Sequence, residues 1–168
     1  MRVRHISLPV VLLALASAGC GTEPVPCSNT CPNISGVYSI QNASPTGRCS
    51  FSPYLLAPTV EILQSDNGRR VVLEVIDPST QLEVPLVGEV YTPDPGDGPG
   101  VLGSFRIDTR TVRAASRSDE QTVTLDVSAM GLVSVHEGRR MLSATLSTTD
   151  ATSGKGCTIT LSVTGSGD

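Results

Sequence analysis

Tryptophan is absent from this chain, and its aromatic residues amount to Tyr38, Phe51, Tyr54, Tyr91 and Phe105. Sites that stack bases or sugars lean on aromatic faces, so this scarcity argues against both ligand classes. Lysine occurs once, at Lys155, and the formal net charge is −4. A mildly acidic chain lacks the basic surface that nucleic acid rewards. The apolar run Ile6 to Ala16, interrupted by Ser7 and Pro9, falls short of the roughly 20 residues that a spanning helix needs. No Gly-x-Ser-x-Gly elbow and no internal repeat occur. The expectation from these absences is a protein without catalytic residues, cofactor or metal.

What is present begins with an address. Arg2, Arg4 and His5 precede the apolar run, and the small residues Ser17, Ala18 and Gly19 lead into Cys20. A basic start, a short apolar region and a small-residue cleavage site read as a secretory signal. Its removal takes away Arg2 and Arg4 and leaves the remainder more acidic. The run Leu15-Ala-Ser-Ala-Gly-Cys20 resembles the lipobox of bacterial lipoproteins. The resemblance implies cleavage before Cys20 and a diacylglycerol on its thiol, that is, a chain anchored to the lipid bilayer. Gly21, in place of aspartate, is similar to the pattern for transit to the outer membrane. The alternative is an ordinary signal peptide with Cys20 as a disulfide partner. Parity weighs against it, since five cysteines are odd and lipid on Cys20 leaves four. The expected organisation is a signal peptide over residues 1–19, a lipid-anchored tether stiffened by Pro24, Pro26 and Pro32 over 20–33, and one domain over 34–168.

From Ile34 the chain reads as strands. Ile34 to Ile40 is rich in β-branched residues and ends at polar Gln41 to Arg48. Thr59 to Gln64 and Arg70 to Ile76 flank Asn67-Gly68, a strong hairpin signal. Leu82 to Val87 and Glu89 to Thr92 are broken by Pro85 and Gly88, which points to a bulge or an edge. Pro93 to Gly100 is a long turn, and Val101 to Ile107 follows. Gln121 to Val127 alternates cleanly, with Val123, Leu125 and Val127 on one face. Leu132 to His136 and Arg140 to Leu146 meet across Glu137-Gly138, and Cys157 to Val163 closes the chain. The pattern predicts an all-β fold: a single antiparallel meander of about 8–10 strands closed into a small barrel, with a β-sandwich as the alternative.

Four cysteines allow three connectivities. In an even-stranded meander barrel the end of the first strand lies beside the start of the last, which favours Cys49–Cys157 and leaves Cys27–Cys31 as a local ring. The rival has Cys27 and Cys31 each clamped to Cys49 or Cys157. Exported cysteines are usually oxidised, and Cys27-x-x-x-Cys31 has no nearby histidine, so a metal site is disfavoured.

Four constellations could bear chemistry. His136 shares a strand face with Ser134, and a hydrolase would need both in a cleft with an acid such as Asp126 or Glu137; the plainer reading is an exposed histidine beside a turn. Asp94 and Asp97 could offer oxygens to calcium, but dense alternating carboxylates are lacking and turn polarity is the default. Arg106, Arg110, Arg113 and Arg117 are spaced as one helical stripe, an anion patch for lipid phosphates or an acidic polymer. Their β-branched neighbours Thr109, Thr111 and Val112 argue against a helix and for a solvated face. Asn33-Ile-Ser35 and Asn42-Ala-Ser44 match glycosylation sequons, which the bacterial reading makes coincidental.

Gly36 and Tyr38, opening a meander that ends in a disulfide-pinned strand, resemble the first-strand Gly-x-Trp of lipocalins, with tyrosine in place of tryptophan. That resemblance implies a barrel able to hold a small apolar ligand. The expected function is a membrane-anchored lipoprotein of the bacterial cell envelope, at the outer membrane, acting as a non-enzymatic structural and interaction module through an envelope protein or polymer. A lipocalin-like carrier of a small apolar ligand is the alternative.

Overall fold

Two tight turns set the registers around which the sheet is built. Asp66, Asn67 and Gly68 all adopt left-handed φ (52°, 55° and 86°), and Gly68 N–H donates to the Ser65 carbonyl at 3.0 Å. Glu137 and Gly138 do the same with φ of 51° and 78°. Left-handed residues match the twist of antiparallel strands, so these turns close hairpins without splaying them. The computed structural model that shows this describes residues 25–94, 96–115, 121–152 and 157–167.

The described residues form eight strands: β1 (Gly36–Thr46), β2 (Thr59–Ser65), β3 (Arg70–Ile76), β4 (Glu83–Tyr91), β5 (Val101–Ala114), β6 (Thr122–His136), β7 (Arg139–Asp150) and β8 (Thr158–Gly167). Each pairs antiparallel with its sequence neighbour, and β8 returns to β1, so the meander is a closed barrel and not a sandwich. Closure removes most of the free edges a meander would leave.

Several strands differ from the sequence expectation in length. β1 runs on through Thr46, because Asn42 to Thr46 find ladder partners in Thr164 to Thr160. Pro45 is tolerated there since β2 pairs only with Gly36 to Ser39, leaving the other side of β1 open. The two segments around Pro85 and Gly88 are one strand. Pro85 lies where β4 pairs with β3 alone, and Gly88 is a close approach, since a β-carbon would fall 2.1 Å from the Arg106 carbonyl oxygen. The segments Gln121–Val127 and Leu132–His136 likewise fuse into β6. Gly131 at their junction leaves room for the Phe105 ring, which a β-carbon would meet at 2.3 Å.

Period-two alternation then fills the barrel. Val123, Leu125, Val127, Ala129 and Val133 of β6 point inward with Ile62, Val71, Val75, Val90, Phe105, Ile107 and Val163 of other strands. Because β1 and β8 are neighbours, Cys49 and Cys157 are brought together and bonded, and Cys27 and Cys31 form the second disulfide.

Candidate functional site: the plugged ends and the outer wall

Both ends of the barrel are covered by the chain itself. At the N-terminal end, residues 25–35 lie against the strands. Pro26 bridges to Tyr91, the Cys27 N–H donates to the Val90 carbonyl at 2.8 Å, and Cys27 is buried. Gln64, on β2, ties this segment down from below. Its Oε1 accepts the N–H groups of Ile34 (2.7 Å) and Ser35 (2.9 Å), and its Nε2 donates to the carbonyls of Pro32 and Gly68, both at 2.9 Å. Tyr38 donates to the Ile34 carbonyl at 3.0 Å, and Arg140 donates to that of Ser35. Burial raises the Tyr38 phenol above its ordinary pKa, with the Arg140 guanidinium opposing the shift. The described part of the expected tether is therefore docked, and only residues 20–24 of it fall outside the described residues.

The opposite end is closed by residues 47–58, which carry the buried rings of Phe51 and Tyr54. Leu55 exchanges both backbone hydrogen bonds with Ile76. Arg113 enters the barrel beneath this loop. It donates to the carbonyls of Ser52 and Ala114 (2.9 Å for the latter), stands 4.9 Å from the Tyr54 ring centroid, and brings Nε to 3.7 Å from Asp77 Oδ1. That same oxygen accepts the Ser79 N–H and hydroxyl. A charged donor paired to two carbonyls, an aromatic face and a carboxylate can remain buried without isolation.

The four-arginine patch does not form as one surface. Strand periodicity replaces the helical stripe, so Arg106 and Arg110 point outward while Arg113 points inward. Arg106 Nε is 2.6 Å from Asp108, and Arg110 grips Asp126 with two hydrogen bonds of 2.6 and 2.9 Å. The Arg110 hydrogen bond holds the Asp126 carboxyl below the usual carboxylate range. Arg117 and Cys20 lie outside the described residues. His136 is exposed at the β6–β7 turn, its side chain 78% accessible, with Glu137 at 3.9 Å, and no cleft described below includes it. Asp97 is engaged by its own turn, accepting the Asp94 N–H at 2.8 Å.

Inward side chains leave the clefts on the outside. One of them is a groove of about 300 Å³ on the outer wall, lined by Tyr91, Arg106, Met130, Leu132, Ser143 and Thr145. A lipocalin-like carrier needs room inside the barrel, and the apolar side chains of all eight strands meet there instead. Gln64 is not singled out in the sequence, and Arg113 is expected there in an anion patch, whereas the structure puts it inside the barrel. Arg113 had a signal, since it keeps the inward parity of Phe105 and Ile107; Gln64 had none. Comparison with known proteins finds no match: no family description fits the chain, and neither a curated protein nor a solved structure is similar to it.

Proposed function

We propose that the protein is a membrane-anchored lipoprotein of the bacterial cell envelope, held at the outer membrane, whose barrel acts as a non-enzymatic structural and interaction module. The observation that supports this reading is the cysteine account. Cys27 pairs with Cys31 and Cys49 with Cys157, so Cys20 is the one thiol left over, at the end of a lipobox-like run. Each buried methylene adds about 0.8 kcal/mol of membrane affinity, and two or more acyl chains make such attachment stable. A filled and plugged barrel offers its rims and outer wall for contact. At the end opposite the N-terminus Leu82 and Val112 are each 65% exposed, and Leu55 is exposed beside Ile76. Val25, Val37, Leu63 and Val135 are exposed toward the N-terminal end, so both ends offer apolar side chains for contact.

Intact-mass measurement on protein extracted from its own host tests the proposal. The expected mass is that of a chain beginning at Cys20, with two disulfides plus a thioether-linked diacylglycerol and an amide-linked acyl chain on that cysteine. Cys20→Ser is expected to move the protein from the membrane to the soluble fraction. A free thiol at Cys20 in the natural product, or membrane retention of the serine variant, refutes the reading.

A further inference from the structure

We infer that the N-terminal end of the barrel, the end covered by residues 25–35, is the face turned toward the bilayer, and that the loop 47–58 end points away from it. The inference rests on Cys20 bearing lipid. The first fixed point after Cys20 is Pro26, bridged to Tyr91 at the end of β4, with the buried and hydrogen-bonded Cys27 behind it. Residues 21–25 are all that separates the lipid from that point. Fully extended, such a stretch spans about 20 Å.

The barrel is taller than this reach. Pro26 docks at the level of Tyr91, which pairs with Ser104, and from there β5 runs on to Ala114, about 25 Å along the barrel axis at a rise of roughly 3.3 Å per residue and the usual strand tilt of about 40°. An inverted barrel would need the anchor to cover that height on about 20 Å of chain. Lying sideways is opposed by charge. The wall of β2, β3 and β4 gathers Glu61, Glu74 and Glu83 around one shallow groove, which anionic headgroups repel, while Glu89 lies in register between Arg70 and Arg106. The N-terminal rim carries both signs, with Asp66 and Glu137 beside Arg69 and Arg139, so the acyl chains and not headgroup charge hold it.

The absence of tryptophan supplies a clean reporter. Ser65→Trp at the last residue of β2, on the rim covered by residues 25–35, and Glu83→Trp at the first residue of β4, on the far rim, place single indoles at exposed positions on opposite rims. The acylated full-length variants, purified from a lipoprotein-processing host, are bound to phosphatidylethanolamine–phosphatidylglycerol vesicles containing a trace of dansyl-headgroup lipid. Energy transfer from Ser65→Trp is expected to exceed that from Glu83→Trp several-fold. Equal transfer, or greater transfer from Glu83→Trp, in protein that floats with the vesicles overturns the orientation alone. Protein that lacks the diacylglycerol and does not float overturns the lipoprotein reading, and the orientation with it.

Discussion

Replacing Arg113 by methionine tests how the plugged end is held. The guanidinium sits inside the barrel with its side chain only 5% accessible; its loss strands two acceptors, the Ser52 and Ala114 carbonyls, and leaves the Asp77 carboxylate, still held by Ser79, without the nearby positive charge. Hydrogen bonds from a charged donor are each worth about 1.5–3 kcal/mol, and removing one partner of a buried ion pair costs about 3–5 kcal/mol. Those figures overlap in what they count, so they are not summed. Methionine nearly fills the vacated volume, which keeps the cavity contribution small. We expect Arg113→Met to lose about 3–5 kcal/mol, which for a chain of this size lowers Tm by roughly 6–20 °C. Thermal and urea unfolding followed by far-ultraviolet circular dichroism at pH 7, with disulfides intact, measures it. Adding Asp77→Leu should recover part of the loss, because the stranded charge goes with its partner. If Arg113→Met stays within about 1 kcal/mol of the parent, the clamp reasoning is wrong, and Phe51, Tyr54 and Cys49–Cys157 suffice to hold the loop.

The two disulfides should differ in weight. Cys49–Cys157 closes 108 residues and its removal by paired serine substitution should cost about 4–5 kcal/mol in the chain-entropy account, against about 2 kcal/mol for the ring of Cys27–Cys31; equal denaturation midpoints for the two double variants would contradict this. Gly131→Val forces a side chain into the space of the Phe105 ring and should destabilise by about 1–3 kcal/mol or more. Phe105→Leu in the same chain should relieve part of that, and a double-mutant cycle with no coupling would show that the two residues do not share the space.

The architecture was readable because burial is written in period two. Val123, Leu125 and Val127, then Ile159, Leu161 and Val163, announce one-sided strands, and the Asn67-Gly68 and Glu137-Gly138 turns announce how they connect. Closure favours Cys49–Cys157 without excluding the rival that clamps Cys27 and Cys31 to Cys49 and Cys157, and the structure holds the first pairing. Strand lengths were not readable in the same way. Gln41 to Thr46 is polar on both faces and becomes strand only because β8 supplies partners, a tertiary effect that local composition does not carry. The end plugs were hidden for a related reason. Phe51, Tyr54 and Leu55 have no period, and Gln64 earns its place through backbone groups of Pro32, Ile34 and Ser35, distant in the chain at separations of 32, 30 and 29. The arginine stripe failed because spacing of three and four means one face only on a helix, and the register of β5 against β6 decided otherwise.

The same register gives the outward arginines a reason that needs no ligand. β4 and β5 meet through three paired positions, Glu89–Arg106, Val90–Phe105 and Tyr91–Ser104, so Glu83 to Gly88 and Ile107 to Ala114 each pair on one side only. Such half-paired edges invite strand addition by another chain, and proteins commonly guard them with lysine, proline or charge. Lysine is almost absent from this sequence. The guards here are Pro85 and Glu83 on β4 and the charged row Arg106, Asp108 and Arg110 on β5, held by the Arg106–Asp108 and Arg110–Asp126 pairs. Away from this seam the exposed residues of β7 and β8 are neutral, Arg139 at the rim excepted. Ser147 meets Thr160 at 3.2 Å and Thr149 meets Thr158 at 2.8 Å across fully paired strands. Charge is concentrated where the ladder is incomplete and gives way to hydroxyls where it is complete. That distribution fits protection of an open seam, and it makes a dedicated anion site on β5 unnecessary.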